Sequence, residues 1–535
     1  MKAMVATAKT RSDVLGQLQA SSGNGKAHRN LTRVLLLTAA LSVVLVFPAW
    51  AAKWDLVPSL AVNETYTDNV SLASDAFKQS DWVTQVVPRI LIRGTGPGLK
   101  LTVDYAPQLT YYARDLQDKN GVYQNGNATL NAELAEKLLF IDAGANVGQQ
   151  NVSLQGPLSS SNVNTTGNRA TVKSFYLSPY FQHDFGAEVR AELRYRYSAT
   201  DSDQAGATQD SSTNALALLL ASGSTYKVLS WGLDYNLGKT EYDSQLNPDL
   251  DSETILGRAR YLITPSLGLL ARGGYESYKR GDVIPESKGW GWAGGFDWSP
   301  SPRTNLTALT GRRFYGPYSN VALRHRARLL EFRAGYDESV TTTTQQFFVP
   351  AVGDTSVYLD QLFANTIPDP VARQDAVNTA ISQLGIPSSL NAPVNYYSNN
   401  LFVQKRLNGS IALRGVRNTV IANVFTFRRQ AIVGSTFLPG SVNPDNNTQQ
   451  IGGSLSWSLK MTSRDGLSVL GAYSRNEFKG TSRVDDVTDL GIRYTRQFQP
   501  KFLGALSYRR QERDSTQGGA NYTENAVIGT LQMSF

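Results

Sequence analysis

Residues Ala187–Tyr197 read AEVRAELRYRY, and no other stretch narrows the possible folds as far. Ala187, Val189, Ala191, Leu193, Tyr195 and Tyr197 occupy one parity, and Glu188, Arg190, Glu192, Arg194 and Arg196 the other. On a helix, charges at every second position would point in all directions. On a strand they share one side and leave the other side apolar. A strand with one charged and one apolar face suits a wall between water and lipid.

The pattern recurs along the chain. Leu229, Trp231, Leu233, Tyr235 and Leu237 alternate with Ser230, Gly232, Asp234 and Asn236; Ile451, Leu455, Trp457 and Leu459 alternate with Gln450, Ser454, Ser456 and Ser458. Trp290, Trp292, Phe296 and Trp298 share one parity. At ~3.4 Å per residue and a tilt of ~40°, Trp290 and Trp298 would stand about 20 Å apart in height, close to the spacing of two aromatic girdles. Short turn signals, such as Gly94–Gly98, Gly415–Asn418 and Thr462–Gly466, alternate with long polar connections, such as Asn151–Asn168 and Ala431–Asn447. The expected fold is all-β: a transmembrane antiparallel outer-membrane β-barrel of about 22 strands, within a range of roughly 18 to 24. That count assumes a turn near Asp337-Glu338-Ser339 and a further strand from Thr341 to Val349. A soluble sandwich or propeller is the competing reading.

Residues 1–51 read as a signal peptide. Residues 34–47, VLLLTAALSVVLVF, form an apolar core too short to span a bilayer, with basic residues before it and the small pair Ala49 and Ala51 after it. Sec-type export with cleavage near Ala51 is expected, leaving residues 52–535 as the barrel. The leader carries six Lys and Arg against one Asp, so it supplies five of the eight formal positive charges. The basic balance is therefore partly a targeting effect, and no nucleic-acid partner is expected. The chain has no cysteine, which excludes disulfides, thiolate metal sites and a Cys nucleophile. Strands begin almost directly after the leader, so no plug domain of the TonB-dependent kind is expected.

The last residues, AVIGTLQMSF, place Val527, Gly529, Leu531, Met533 and Phe535 on one face. The stretch resembles the terminal assembly signal of outer-membrane proteins. Leu531, Met533 and Phe535 are thus candidate contacts for the barrel assembly machinery, with outer-membrane lipid around the finished wall.

Residues 351–398 do not alternate and read as a long extracellular loop with a short helix. Asp369-Pro370 would start that helix and Gly385 stop it, with Val377, Ala380, Ile381 and Leu384 on one stripe. A helix capping the outer rim is the favoured placement, and insertion into the pore the other.

Arginine concentrates in strands. Arg on a lipid face costs about 2 to 4 kcal/mol at midplane, so Arg190, Arg194, Arg196, Arg258, Arg260, Arg324, Arg326 and Arg328, the candidate lumen residues, should face the lumen or sit near the rims, as should Arg414, Arg428, Arg493, Arg509 and Arg513 on other strands. Guanidinium groups attract carboxylates, sulfates and phosphates, so an anionic solute or polymer is one reading. A lattice of internal salt bridges with Glu188, Glu192 and Asp234 is the other. Past the leader the only histidines are His183 and His325, and no catalytic set, cofactor motif or metal cluster stands out; Asp249, Asp251 and Glu253 read as a solvated loop.

The blocks WDLVPSLAVNETYTDNVSLA (Trp54–Ala73), LLFIDAGANVGQQ (Leu138–Gln150), RAGYDESVTTTTQQ (Arg333–Gln346) and RNTVIANVFTFRRQ (Arg417–Gln430) resemble the outer-membrane protein family associated with the PEP-CTERM/exosortase system. That resemblance implies outer-membrane location and a link to exopolysaccharide and surface-protein sorting. It carries no functional motif. The expected role is a pore or export conduit favouring anionic solutes or polymer, exopolysaccharide among them. The alternative is a structural or surface-binding barrel, and an enzyme is not expected.

Overall fold

In the computed structural model the described residues are 52–535, apart from 115–119, 204–209, 244–247, 283–284, 433–446 and most of 343–400. Residues 1–51, expected to be a signal peptide, lie outside them.

Alternation builds one antiparallel sheet of 24 strands that closes on itself. Two of those strands are halves of one stave. Leu99–Tyr105 and Gln108–Tyr112 both pair with Asp81–Gly96 and are separated at Ala106-Pro107, where proline has no N–H to give the ladder. Gly121–Tyr123 and Gly126–Ala135 are likewise the lower-numbered and higher-numbered parts of the next stave. The wall therefore has 22 staves. The first, Lys53–Thr67, pairs with the last, Tyr522–Ser534, from Ser59↔Ser534 to Thr67↔Ala526, which closes the seam between the two ends of the sheet.

One end of the barrel carries the tight turns, including 97–98, 265–266, 302–303 and 415–417, together with Lys53 and Phe535. The other carries the long connections 68–80, 152–168, 343–400 and 432–446. By the usual orientation of such barrels the first end is periplasmic and the second extracellular.

The wall corrects one part of the sequence reading. Leu330–Thr342 runs unbroken through Asp337-Glu338-Ser339, paired along its length with Leu401–Arg414. There is no turn at 337–339; of the expected strand Thr341–Val349, Thr341 and Thr342 are the end of Leu330–Thr342, and residues 343–349 lie outside the described residues. The inner turn is at 327–329 instead, closed by Ala327 N–H donating to the Leu330 carbonyl at 2.8 Å. It contains neither Gly nor Pro, and the polar run 337–339 imitated a turn because it approaches the rim. The count of about 22 stands.

Candidate functional site: the lumen wall and its inward loops

Each stave sends one parity to lipid and the other to the lumen. Leu193, Tyr195, Leu229, Leu455, Leu490 and Leu531 are exposed on the outside. Their neighbours of opposite parity face inward, and these are the polar ones.

On that inner face most of the predicted arginines hold carboxylates. Arg190 Nε donates to Asp184 at 2.6 Å. Arg194 reaches across Ser178 to Asp142 at 2.8 Å, bonds Glu192 at 2.7 Å and lies 3.7 Å over the Tyr180 ring, which stacks on Phe140. Arg196 lies 4.0 Å over Tyr176, and that ring fills the space a side chain at Gly144 would need. Arg258 bonds Asp234 at 3.2 Å, and Arg260 grips Asp297 with two bonds of 2.8 and 2.6 Å. Arg324 and Arg333 share Glu331 at 2.9 and 3.0 Å. Planar guanidinium suits such two-point contacts.

Arg326 takes the inward parity opposite Glu331 with no ion pair among the described residues. Arg328 departs from the expected row. It sits in the 327–329 turn, exposed at the periplasmic rim, because the strand ends two residues earlier. Arg493, on an inner face beside Ser468 and Ser507, also has no ion pair among the described residues. The wall is thus largely a neutralised lattice, with only a few guanidinium groups left over.

The acids Asp251 and Glu253 belong to a strand, not to a loop, and Glu253 accepts from the Tyr235 hydroxyl at 2.9 Å. His183 lies between Phe181 and Phe185 on the outer parity, and His325 meets Thr304. The two are on separate staves. No cluster of metal-ligating side chains occurs among the described residues.

Two loops turn into the lumen. Residues 152–168 leave the wall between Leu139–Asn151 and Arg169–Phe185, yet they pack against inner faces several staves away. Leu154 and Leu158 join Phe478 and Val487; Val163 joins Val70, Val83 and Tyr112. Polar tethers hold the backbone. Arg513 donates to the carbonyls of Leu154 (3.1 Å), Gln155 (3.2 Å) and Gly156 while pairing with Asp485. Arg483 adds a bond to the Gln155 carbonyl at 2.7 Å, and Gln511 and Tyr522 each reach the Leu158 carbonyl at 3.1 Å. Asn164 donates to Glu524 at 2.8 Å. Arg513 and Asp485 are 1% and 0% exposed, so the pair is fully desolvated; the two terminal nitrogens of Arg513 are bonded, while its Nε has no partner among the described residues.

The second inward segment overturns the rim-cap expectation. Within 343–400 the described residues Leu359, Phe363 and Val377 are helical and bury themselves against Ala412 and Ile421. Arg414 lies 4.5 Å over the Phe363 ring. Ala412, Arg414 and Ile421 flank the tight turn at 415–417, at the periplasmic end. A segment that leaves the wall at the extracellular end therefore reaches down to the far end of the lumen. The reason is apolar burial: Val377 is 0% exposed there, and the extracellular rim would have left it in water. Asp369, Pro370, Gly385 and the rest of the predicted stripe lie outside the described residues.

Arg513 and Arg414 are legible in the sequence only as strand arginines facing the lumen or a rim, and their contacts to the inward segments are not. The signal that could have found them is inward-parity arginine near an extracellular loop, seen at Arg483 and Arg513.

A closed 22-stave antiparallel wall, apolar outside, polar inside and with inward loops, defines an outer-membrane β-barrel. No family model and no curated protein matches the chain. Among solved structures it is similar to the FrpB iron transporter from Neisseria meningitidis, F5-1 variant (10% identity, TM-score 0.49, covering 90% of this chain and 83% of that one). It is also similar to the siderophore receptor PirA from Acinetobacter baumannii (8%, 0.45, 90% and 80%) and to Pseudomonas aeruginosa OpdO (11%, 0.32, 90% and 98%). Nothing about a cargo follows from likeness at this level.

Proposed function

We propose that the chain is a constricted conduit for polar solutes or polymer across the outer membrane. The observation that carries this is the inner wall itself: staves on every side present charge pairs and hydroxyls to the lumen, and the inward loop 152–168 is tethered by built, satisfied contacts. Wide barrels enclose channels or plugged lumens, and a polar lining is what a passing hydrated solute needs.

The charge lattice moderates the expected anion preference. Arg190, Arg194, Arg258, Arg260 and Arg324 already hold carboxylates, so selectivity falls to the few remaining cations, Arg326 and Arg493 among them. A mild preference for anions, not a strong one, is the reading. The sequence resemblance to the PEP-CTERM-associated family supports an acidic exopolysaccharide as the polymer and sorting of surface proteins as the setting.

Single-channel current of the refolded chain in a planar bilayer tests this. Small, weakly anion-selective conductance that acidic oligosaccharides block, and that grows when 152–168 is deleted, is the expected result. A folded barrel silent both with and without the loop would overturn the conduit. The second reading, a structural or surface-binding barrel, is favoured by the docking of Leu359, Phe363 and Val377 at the periplasmic end. It expects silence even after 343–400 is removed.

A further inference from the structure

The wall is unevenly closed. Gly316–Arg326 and Leu330–Thr342 pair only from Arg326↔Glu331 up to Val321↔Tyr336. Above that point the two strands part. Among the described residues Gly316–Asn320 continues upward paired only with Thr304–Arg313, and Asp337–Val340 only with Leu401–Arg414. On the other side of the same hairpin, Ser287–Gly291 rises past its tip and pairs only with Leu267–Arg280. The hairpin tip is the two residues Phe314 and Tyr315, so the extracellular part of the wall carries a notch at this place.

Side chains, not a backbone ladder, span the notch among the described residues. Arg313 Nε donates to Glu276 at 2.7 Å, and Arg313 Nη1 to the Glu338 carbonyl at 3.5 Å. Arg272 reaches the Tyr318 hydroxyl at 3.3 Å.

The outward residues give its height. Along Leu330–Thr342 they run Phe332, Ala334 and Tyr336, then Glu338, which is buried, accepts from the Tyr336 hydroxyl at 2.7 Å and pairs with the half-exposed Lys405 at 3.2 Å. The change from apolar to charged falls at the foot of the notch, where hydrocarbon gives way to head groups. At the opposite lip Trp290 and Trp292 are 76% and 65% exposed on the lipid side. Arg312, in the row of Trp292, is exposed on the same face and has no ion pair among the described residues. Open strand edges are costly next to hydrocarbon and need hydrogen-bonding partners.

We propose that this notch is a lateral portal onto the outer leaflet, occupied by the phosphate-bearing head of a membrane lipid whose chains lie along Trp290 and Trp292. Phosphate oxygens accept from Arg312 and from the open strand edges, and the indole faces sit where amphipathic rings prefer to be. The portal does not depend on the axial conduit, because lipid contact is scored even in a barrel that passes no current.

The test is photo-crosslinking of the full mature chain in vesicles containing phosphatidylethanolamine with a diazirine on its head group, followed by peptide mapping. Adducts should concentrate at Asn320 and Ser339, which flank the notch, at least several-fold above Thr213 and Ser252 on a closed part of the same rim. Arg312→Ala should lower the notch yield several-fold and leave the rim yield alone. Glu276→Gln, which loosens the clasp from inside, should raise it. Adducts spread evenly around the rim, or a notch yield indifferent to Arg312→Ala, would overturn the portal. Arg312 lies on the outer face with no internal bond to lose, so its variant remains informative if Glu276→Gln fails to fold.

Discussion

Substitution of Arg513 by alanine should free the loop 152–168 without opening the barrel. Arg513 is 1% exposed, pairs with the fully buried Asp485, and donates to three successive loop carbonyls. A buried carboxylate stranded without any cation costs about 3–5 kcal/mol; Asp485 keeps Arg483 Nε at 3.0 Å and the Ser515 hydroxyl, so its share falls below that and the lost loop carbonyls bring the total toward it. Each buried carbonyl deprived of its donor adds about 1–3 kcal/mol unless water replaces it. Arg513 keeps its backbone place in the ladder between Val487 and Tyr522 when only its side chain is truncated, so the loss falls on loop docking. About 3–5 kcal/mol at 1.4 kcal/mol per decade corresponds to roughly two to three and a half orders of magnitude in the docking equilibrium. Hydrogen exchange reads this directly, at Val152 and Thr165, whose N–H groups bond Asn168 and Val70. Their exchange should accelerate by about that factor while strand amides keep their protection, and bilayer conductance should rise in parallel. Arg510→Ala is the control. Its partner Glu512 is about as exposed as Arg510 itself, so the pair is screened by solvent and the loop should stay docked. Unchanged exchange at Val152 and Thr165 in Arg513→Ala would refute the tether.

Other outcomes follow from the same contacts. Val377→Asp places a charge at a fully buried site against Ala412 and Ile421; docking should be lost at a cost of several kcal/mol, seen as new protease cleavage within 343–400. In a double-mutant cycle, Arg194→Ala and Asp142→Asn should couple by about 1 kcal/mol, discounted for partial exposure, in the urea midpoint of the gel-shift transition. Deleting Phe535 should reduce the outer-membrane fraction in cells far more than refolding yield in detergent, since its wall contact is a single N–H bond to the Pro58 carbonyl at 2.9 Å. Equal losses in both would assign Phe535 to stability instead of assembly.

The wall was legible where chemistry alternates strictly. Leu229–Leu237 and Trp290–Trp298 face lipid as their parity requires, and Gln450 and Ser456 are buried on the inner side. Legibility failed where turn chemistry was absent or imitated. The turn at 327–329 has no glycine or proline, and Asp337-Glu338-Ser339 is polar for its height, not for its conformation. Val377 was recognisable as part of an apolar helical stripe. Its destination was not, because Ala412 and Ile421 look like any other wall positions until register places them beside the periplasmic turn. Partner choice was hidden for the same reason. Arg194 finds Asp142 only across an intervening strand, 52 residues away in sequence.

The seam between Lys53–Thr67 and Tyr522–Ser534 also fixes when the molecule can become complete. Thr67 bonds Glu524 at 2.9 Å across a sequence separation of 457 residues, and Asp68 bonds Asn525 beside it. No shorter product of translation can make these contacts. The first stave must therefore wait, with one flank open, until the last has been made. Closure of so long a loop comes late and favours a kept, chaperoned intermediate over spontaneous collapse. A ribosome that stops a few dozen codons early would release a chain with two open flanks, a substrate for periplasmic proteolysis and not a smaller pore.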